Sequence, residues 1–99
     1  MKNMMNMMKQ AQQMKKRMDA MQAELKTMEM DGTAGGDLVT VRVNGENEVL
    51  RVSIDPKAAD DIETLEDLVT VATNDALSKI KNHVSEEMKK VTGGMNLPF

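Results

Sequence analysis

Met4-Met-Asn-Met-Met-Lys-Gln-Ala-Gln-Gln-Met-Lys-Lys-Arg-Met-Asp-Ala-Met-Gln-Ala-Glu-Leu-Lys-Thr-Met28 is the stretch that decides the fold. Its apolar positions are Met4, Met7, Ala11, Met14, Met18, Met21, Leu25 and Met28, spaced alternately by three and four residues. An unbroken 3-4 spacing is the a/d pattern of a helix with one packing seam. No Gly or Pro interrupts it, and Met, Lys, Gln, Ala and Glu are good helix formers. The spacing therefore predicts a helix over residues 2–28, about 40 Å long at 1.5 Å per residue. A compact chain of 99 residues has a radius of gyration of only ~13 Å. Such a helix overhangs any core the chain builds alone, so its seam needs a second chain or a second helix.

Beyond it, Met28-Glu-Met-Asp-Gly32 alternates and Gly35-Gly36 marks a turn. Two further alternating runs, residues 37–43 and 48–54, flank Asn44-Gly-Glu-Asn47. A two-residue turn at Asn44-Gly45 would pair Val41 with Glu48 and mix charge into an apolar face. A four-residue loop pairs Val43 with Glu48, Val41 with Leu50 and Val39 with Val52, and is preferred. Three antiparallel strands over residues 28–55 result, closed by Asp55-Pro56. Lys57 to Asp61 reads as a connector of about one helical turn, and Asp60 or Asp61 can cap a second long helix over 60–92. Its apolar stripe runs Ile62, Leu65, Val69, Ala72, Ala76, Ile80, Val84, Met88, Val91. Gly93-Gly94 ends it, and residues 93–99 form a flexible tail. The fold class is α+β, a single unit over residues 1–99 in the order long helix, three strands, long helix.

Composition excludes most chemistry. With Cys 0 there is no disulfide, thiol nucleophile or thiolate zinc site. His83 is the only histidine and Phe99 the only aromatic residue, so neither a multi-His metal site nor a base-stacking platform is available. No nucleophile–base pair and no phosphate-binding glycine loop is present. Asp60, Asp61, Glu63, Glu66 and Asp67 lack the spacing of a calcium loop, and acids at a helix N-terminus are explained by the macrodipole. Catalysis, cofactors, metals and small-molecule substrates are not expected. No apolar run is long enough to span a bilayer and the N-terminus lacks a signal-peptide pattern, so a cytoplasmic protein is expected.

The net charge of −3 argues against nucleic acid until it is divided along the chain. Residues 1–28 carry six basic and two acidic residues, residues 29–77 three basic and twelve acidic, and residues 78–99 four basic and two acidic. Both ends are basic and the middle is acidic, which points to an anionic partner at the ends. With Met4 at position a, Lys2, Lys9 and Lys16 fall at f, opposite the seam, with Lys15 and Arg17 at e and g. A solvated helix face would account for this line, but such faces mix signs, and no acid precedes Asp19. A phosphate-tracking ridge fits better. On the second helix Lys79, Lys81 and Lys89 form a weaker patch. Lys90 reads as the partner of an acid one turn away, such as Glu86, and His83 as a surface residue.

Ten of the 12 methionines lie in residues 1–30. Packing in a helical interface explains their strict heptad, and Met adapts to irregular gaps. A Cu(I) thioether site and insertion into a membrane surface explain less.

In these stretches the chain resembles the YbaB/EbfC family of nucleoid-associated proteins. The matching segments are Met8-Lys-Gln-Ala-Gln-Gln-Met14, Gly32-Thr-Ala-Gly-Gly36, Leu38-Val-Thr-Val-Arg-Val-Asn-Gly45, Ile54-Asp-Pro56, Leu65-Glu-Asp-Leu68, Asn74-Asp-Ala76, and Thr92-Gly-Gly-Met95 with Leu97-Pro98. They cover nearly the whole chain in order. The four methionines Met4, Met5, Met7 and Met8 depart from the family pattern. The resemblance implies a tweezers-like homodimer that binds double-stranded DNA with its projecting helices and helps organise the nucleoid. The expected DNA contacts are Lys2, Lys9, Lys15, Lys16, Arg17, Lys79, Lys81 and Lys89. The expected dimer interface is Met14, Met18, Met21, Leu25, Val39 and Val41. A rival reading is a protein–protein adaptor that grips a partner helix with the Met-rich seam.

Overall fold

The computed structural model describes residues 2–92, with side chains over 3–90. The elements are α1 (Lys2–Thr27), β1 (Glu29–Ala34), β2 (Val39–Asn44), β3 (Val49–Ile54), a short 3-10 helix (Pro56–Asp60) and α2 (Ile62–Thr92). The helix–three strands–helix order is the one the periodicities predict. The expected tail, 93–99, lies outside the described residues.

The strands form one antiparallel sheet in the order β1-β2-β3. Gly35 and Gly36, both at positive φ, turn β1 into β2. The β2–β3 register differs from the expected one: Val41 pairs with Val52 and Val39 with Ile54. Two local features move it. Asn47 adopts φ 62°, so the turn closes as Asn47 N–H donates to Asn44 O at 3.0 Å while Asn44 N–H donates to Glu48 O at 3.0 Å. Then Arg42 pairs with Arg51 but Val43 with Val49, a bulge that leaves Leu50 unpaired. The Asn44 side chain holds the turn. Its Oδ1 accepts from Glu46 N at 3.0 Å and Glu48 N at 3.1 Å, and its Nδ2 donates to Glu48 Oε1 at 2.9 Å. Asn44 is buried, and these bonds satisfy it.

Helix α2 lies across β1 and β2. The core joins Ala34, Val39, Val41 and Val43 of the sheet to Ala72, Ala76 and Ile80 of the helix. Gly32, in the middle of β1, is what lets the two backbones meet: a Cβ there would collide with Ala72 O and Ala76 N. Asp61 starts the helix, its Oδ1 accepting from Glu63 N at 3.1 Å and its Oδ2 from the Thr64 hydroxyl at 2.9 Å. The apolar stripe begins one turn later than predicted, since Ile62 is 61% exposed and Leu65 is the first residue packed on the core.

Val39 and Val41, expected at an interface between copies, are instead fully buried inside the chain, under α2. The apolar surface left open belongs to β3, which α2 does not cover. Val52 and Ile54 share the core-facing side of the sheet with Val41 and Val39, yet are 45% and 43% exposed.

Helix α1 stands apart from this core. It touches the body near its C-terminal end, where Gly45 N–H donates to Leu25 O at 2.8 Å and to Met28 O at 3.0 Å. These bonds satisfy carbonyls that a helix end leaves unpaired. A Cβ at Gly45 would press into the Leu25 backbone, so the β2–β3 turn and the end of α1 are fitted to one another. The molecule measures 70 × 23 × 17 Å with a radius of gyration of 19.5 Å, against ~13 Å for a compact chain of this size.

Candidate nucleic-acid interface

The basic side chains of α1 stand on an exposed helix. Lys9 and Lys16 repeat at seven residues, about 10 Å along the axis, with Lys15 and Arg17 flanking Lys16. All four are exposed. Among the described residues, no carboxylate forms an ion pair with any of them. Lys2 begins the same helix, and its side chain lies outside the described residues.

The lysines of α2 stand in a different setting. Lys79 Nζ pairs with Asp75 Oδ2 at 3.0 Å and donates to Asp31 O at 3.4 Å, which ties α2 to the β1 edge. Asp75 Oδ2 also accepts the Thr33 N–H at 3.0 Å. That backbone bond, and then the one from Lys79, hold the Asp75 carboxyl below the usual carboxylate range. Lys90 pairs with Glu87 at 3.3 Å, three residues back, rather than with Glu86. Lys81 and Lys89 are exposed, and Lys81 borders a hollow with Leu77, Val84 and the Gly45 turn. His83 is half-buried. The structure thus gathers Lys9, Lys15, Lys16 and Arg17 on one arm and draws Lys79 away into the α2–β1 joint.

The methionine seam is uncovered where it leaves the body. Met14 is 66% and Met18 61% exposed, whereas Met21 and Leu25 are half-buried. An open groove of about 410 Å³ separates this lower seam from α2, lined by Met21, Leu25, Met28 and Met88 among others. The sheet's outer face, which the sequence reading passed over, is polar. Arg42 bonds Asp31 through Nε at 2.9 Å and Nη2 at 3.3 Å. The Arg42 bond holds the Asp31 carboxyl below its usual range. Their alternate spacing in β1 and β2 is the signal that could have found this pair.

Among the described residues, no group of three or more His, Cys, Asp or Glu is placed to hold a metal ion, and no helix is long and apolar enough to cross a membrane.

Comparison with known proteins bears on the site. A sequence model of the YbaB/EbfC DNA-binding family matches residues 1–95. A nucleoid-associated protein of Granulibacter bethesdensis is 54% identical over 100 aligned residues, covering 99% of this chain and 94% of its own. One from Clostridium kluyveri is 48% identical, covering 97% and 86%. Among solved structures, an uncharacterized Helicobacter pylori protein has the same fold, with a TM-score of 0.74 at 22% identity, covering 88% of this chain and 94% of its own. The family model is described as DNA-binding, and the two curated relatives are named nucleoid-associated proteins.

Proposed function

The chain belongs to the YbaB/EbfC DNA-binding family, and from that premise we propose that it binds double-stranded DNA as a homodimer through the basic ridge of α1. One observation carries the reading. Lys9, Lys15, Lys16 and Arg17 stand exposed on a projecting helix, and among the described residues no acid neutralises them. Each lysine or arginine that meets a phosphate releases condensed counterions, so affinity is electrostatic and reads the duplex more than its sequence. Lys2 of the same helix and the exposed Lys81 and Lys89 of α2 are further contacts in this reading. Lys79 contributes least, because its ammonium already serves Asp75 and Asp31. The acidic residues of the middle segment repel phosphate and confine DNA to the arms. The protein acts in the nucleoid, within the cytoplasm.

A second copy supplies what the chain lacks. Met14 and Met18 on the upper seam, Met21 and Leu25 below them, and the open β3 face of Val52 and Ile54 give it two apolar surfaces to cover. The exposed seam also suits an adaptor that grips a foreign helix, and mass in solution separates the two. A dimer at micromolar concentration favours self-association, and a monomer leaves the seam for another partner.

Binding to a random duplex, followed by fluorescence anisotropy at several salt concentrations, tests the DNA reading. With ~3 phosphate contacts per protomer, log K should fall against log salt with a slope of about −5 for the dimer. The double variant Lys9→Glu/Lys16→Glu should lose affinity at least ~10-fold at low salt and flatten the slope. Absence of salt-dependent binding by the unaltered protein overturns the proposal. A variant that binds as well as its parent overturns the placement on α1.

A further inference from the structure

The heptad accounts for Met4, Met7, Met14 and Met18 but not for Met5 and Met8. Those two fall at positions b and e, off the seam, and are 68% and 64% exposed. Their neighbours define their place. On a helix, residues three and four apart are adjacent. Met5 therefore adjoins Met8 on one side and Lys9 on the other, and Met8 adjoins Met4 and Ala11 of the seam. The pair bridges the seam and the lysine ridge near the free end of α1. A partner helix that covers only the a and d positions leaves Met5 outside the interface and Met8 at its margin. Around them stand Asn3, Asn6, Gln10 and Gln12, all exposed, and no acid precedes Asp19.

We infer that the tip of α1 is a DNA wedge: with the lysine ridge on the phosphates, Met5 and Met8 enter the minor groove, part a base step and bend the duplex. The inference rests on the duplex-binding reading above. Its chemistry is general. Apolar side chains such as Met and Leu inserted between base steps from the minor groove unstack them and kink the duplex toward the major groove. The flanking amides can donate to the adenine N3 and thymine O2 acceptors that the minor groove presents. Pyrimidine–purine steps such as TA part most readily, so they are the favoured sites. Charge complementarity brings the tip to the duplex, because Lys9 of the ridge lies one helical turn from Met5.

The experiment measures end-to-end energy transfer in a doubly labelled duplex of roughly 30 base pairs with a central TA step, saturated with full-length protein. Bound protein should raise transfer by an amount that corresponds to a bend of about 20–90°. The double variant Met5→Gln/Met8→Gln keeps length and helix propensity but presents polar ends. It should lose more than half of the transfer change while its salt slope stays within about one unit of the parent's. The variant Met5→Leu/Met8→Leu should keep the bend. Bound but straight DNA with the unaltered protein overturns the inference, as does a Gln variant that bends DNA fully. A Gln variant of altered mass by light scattering also overturns it, since the tip methionines would then belong to the contact between copies. If the unaltered protein binds no duplex at all, the duplex-binding reading fails first and the wedge falls with it.

Discussion

The two long helices of this protein are alike in length, 26 residues in α1 and 31 in α2, and opposite in circumstance. Helix α2 presents Ala72 and Ala76 to Gly32, so its backbone sits directly on the strands and Ile80 fills the space beside them. Helix α1 presents methionines, too bulky for such an approach, to open surroundings. Their cations differ in the same way. Lys79 and Lys90 of α2 meet Asp75 and Glu87, whereas Lys9 and Lys16 of α1 meet no acid among the described residues. One helix completes the fold with small side chains and pairs two of its lysines with acids. The other leaves its upper apolar seam and its basic residues exposed.

That contrast is breakable. The largest effect should come from Ile80→Ala, which hollows the core under α2 and should cost about 2–5 kcal/mol in urea unfolding. Met18→Ala, a truncation of similar size on α1, should leave the unfolding of the separated chain nearly unchanged and instead weaken self-association in sedimentation. Equal destabilisation by the two would erase the difference between the helices.

An intermediate effect is expected at the joint between the helices' territories. Gly45→Ala drives a methyl group into the Leu25 backbone and should cost about 1–3 kcal/mol. Hydrogen exchange should rise chiefly in the last turn of α1, while the amides of β1 and α2 stay protected. Uniform loss of protection across the molecule would instead place Gly45 in the common core.

The smallest effect concerns the neutralised lysine. Asp75 has its carboxyl pKa lowered from 3.8 by the Thr33 N–H and Lys79. A depressed carboxyl stabilises the fold above its unfolded pKa and loses that contribution as pH falls through the folded value. Asp75→Asn should therefore lower the urea midpoint slightly at pH 7, and the two proteins should converge as pH drops below 3.8. A gap that persists in acid would show that packing, not charge, sets the residue's value.

The helix–strand–helix order and the lysine ridge were legible because each rests on periodicity within one segment. The seam from Met4 to Met28 and the f-position line through Lys9 and Lys16 need no knowledge of the rest of the chain. What stayed hidden depends on meetings between segments. Val39 and Val41 have the same alternation as Val52 and Ile54, and only the placement of α2 over β1 and β2 buries one pair and exposes the other. The register was missed because Asn47 turns left-handed and Leu50 bulges, and neither residue announces this alone. The tie of Lys79 to Asp31 was not legible because it spans 48 positions of sequence.

The attachment of α1 at Gly45 has a mechanical meaning. An arm of 26 residues is about 39 Å long, and it is fastened at one end by a turn whose fit a single methyl group would spoil. A tilt of about 10° at that turn carries the far end through roughly 7 Å, as the length of a helix at 1.5 Å per residue requires. In the proposed dimer the opening between two such tips would be geared to small changes at the hairpin turn, so a substitution there would change the fit to a duplex without touching any residue proposed to meet it.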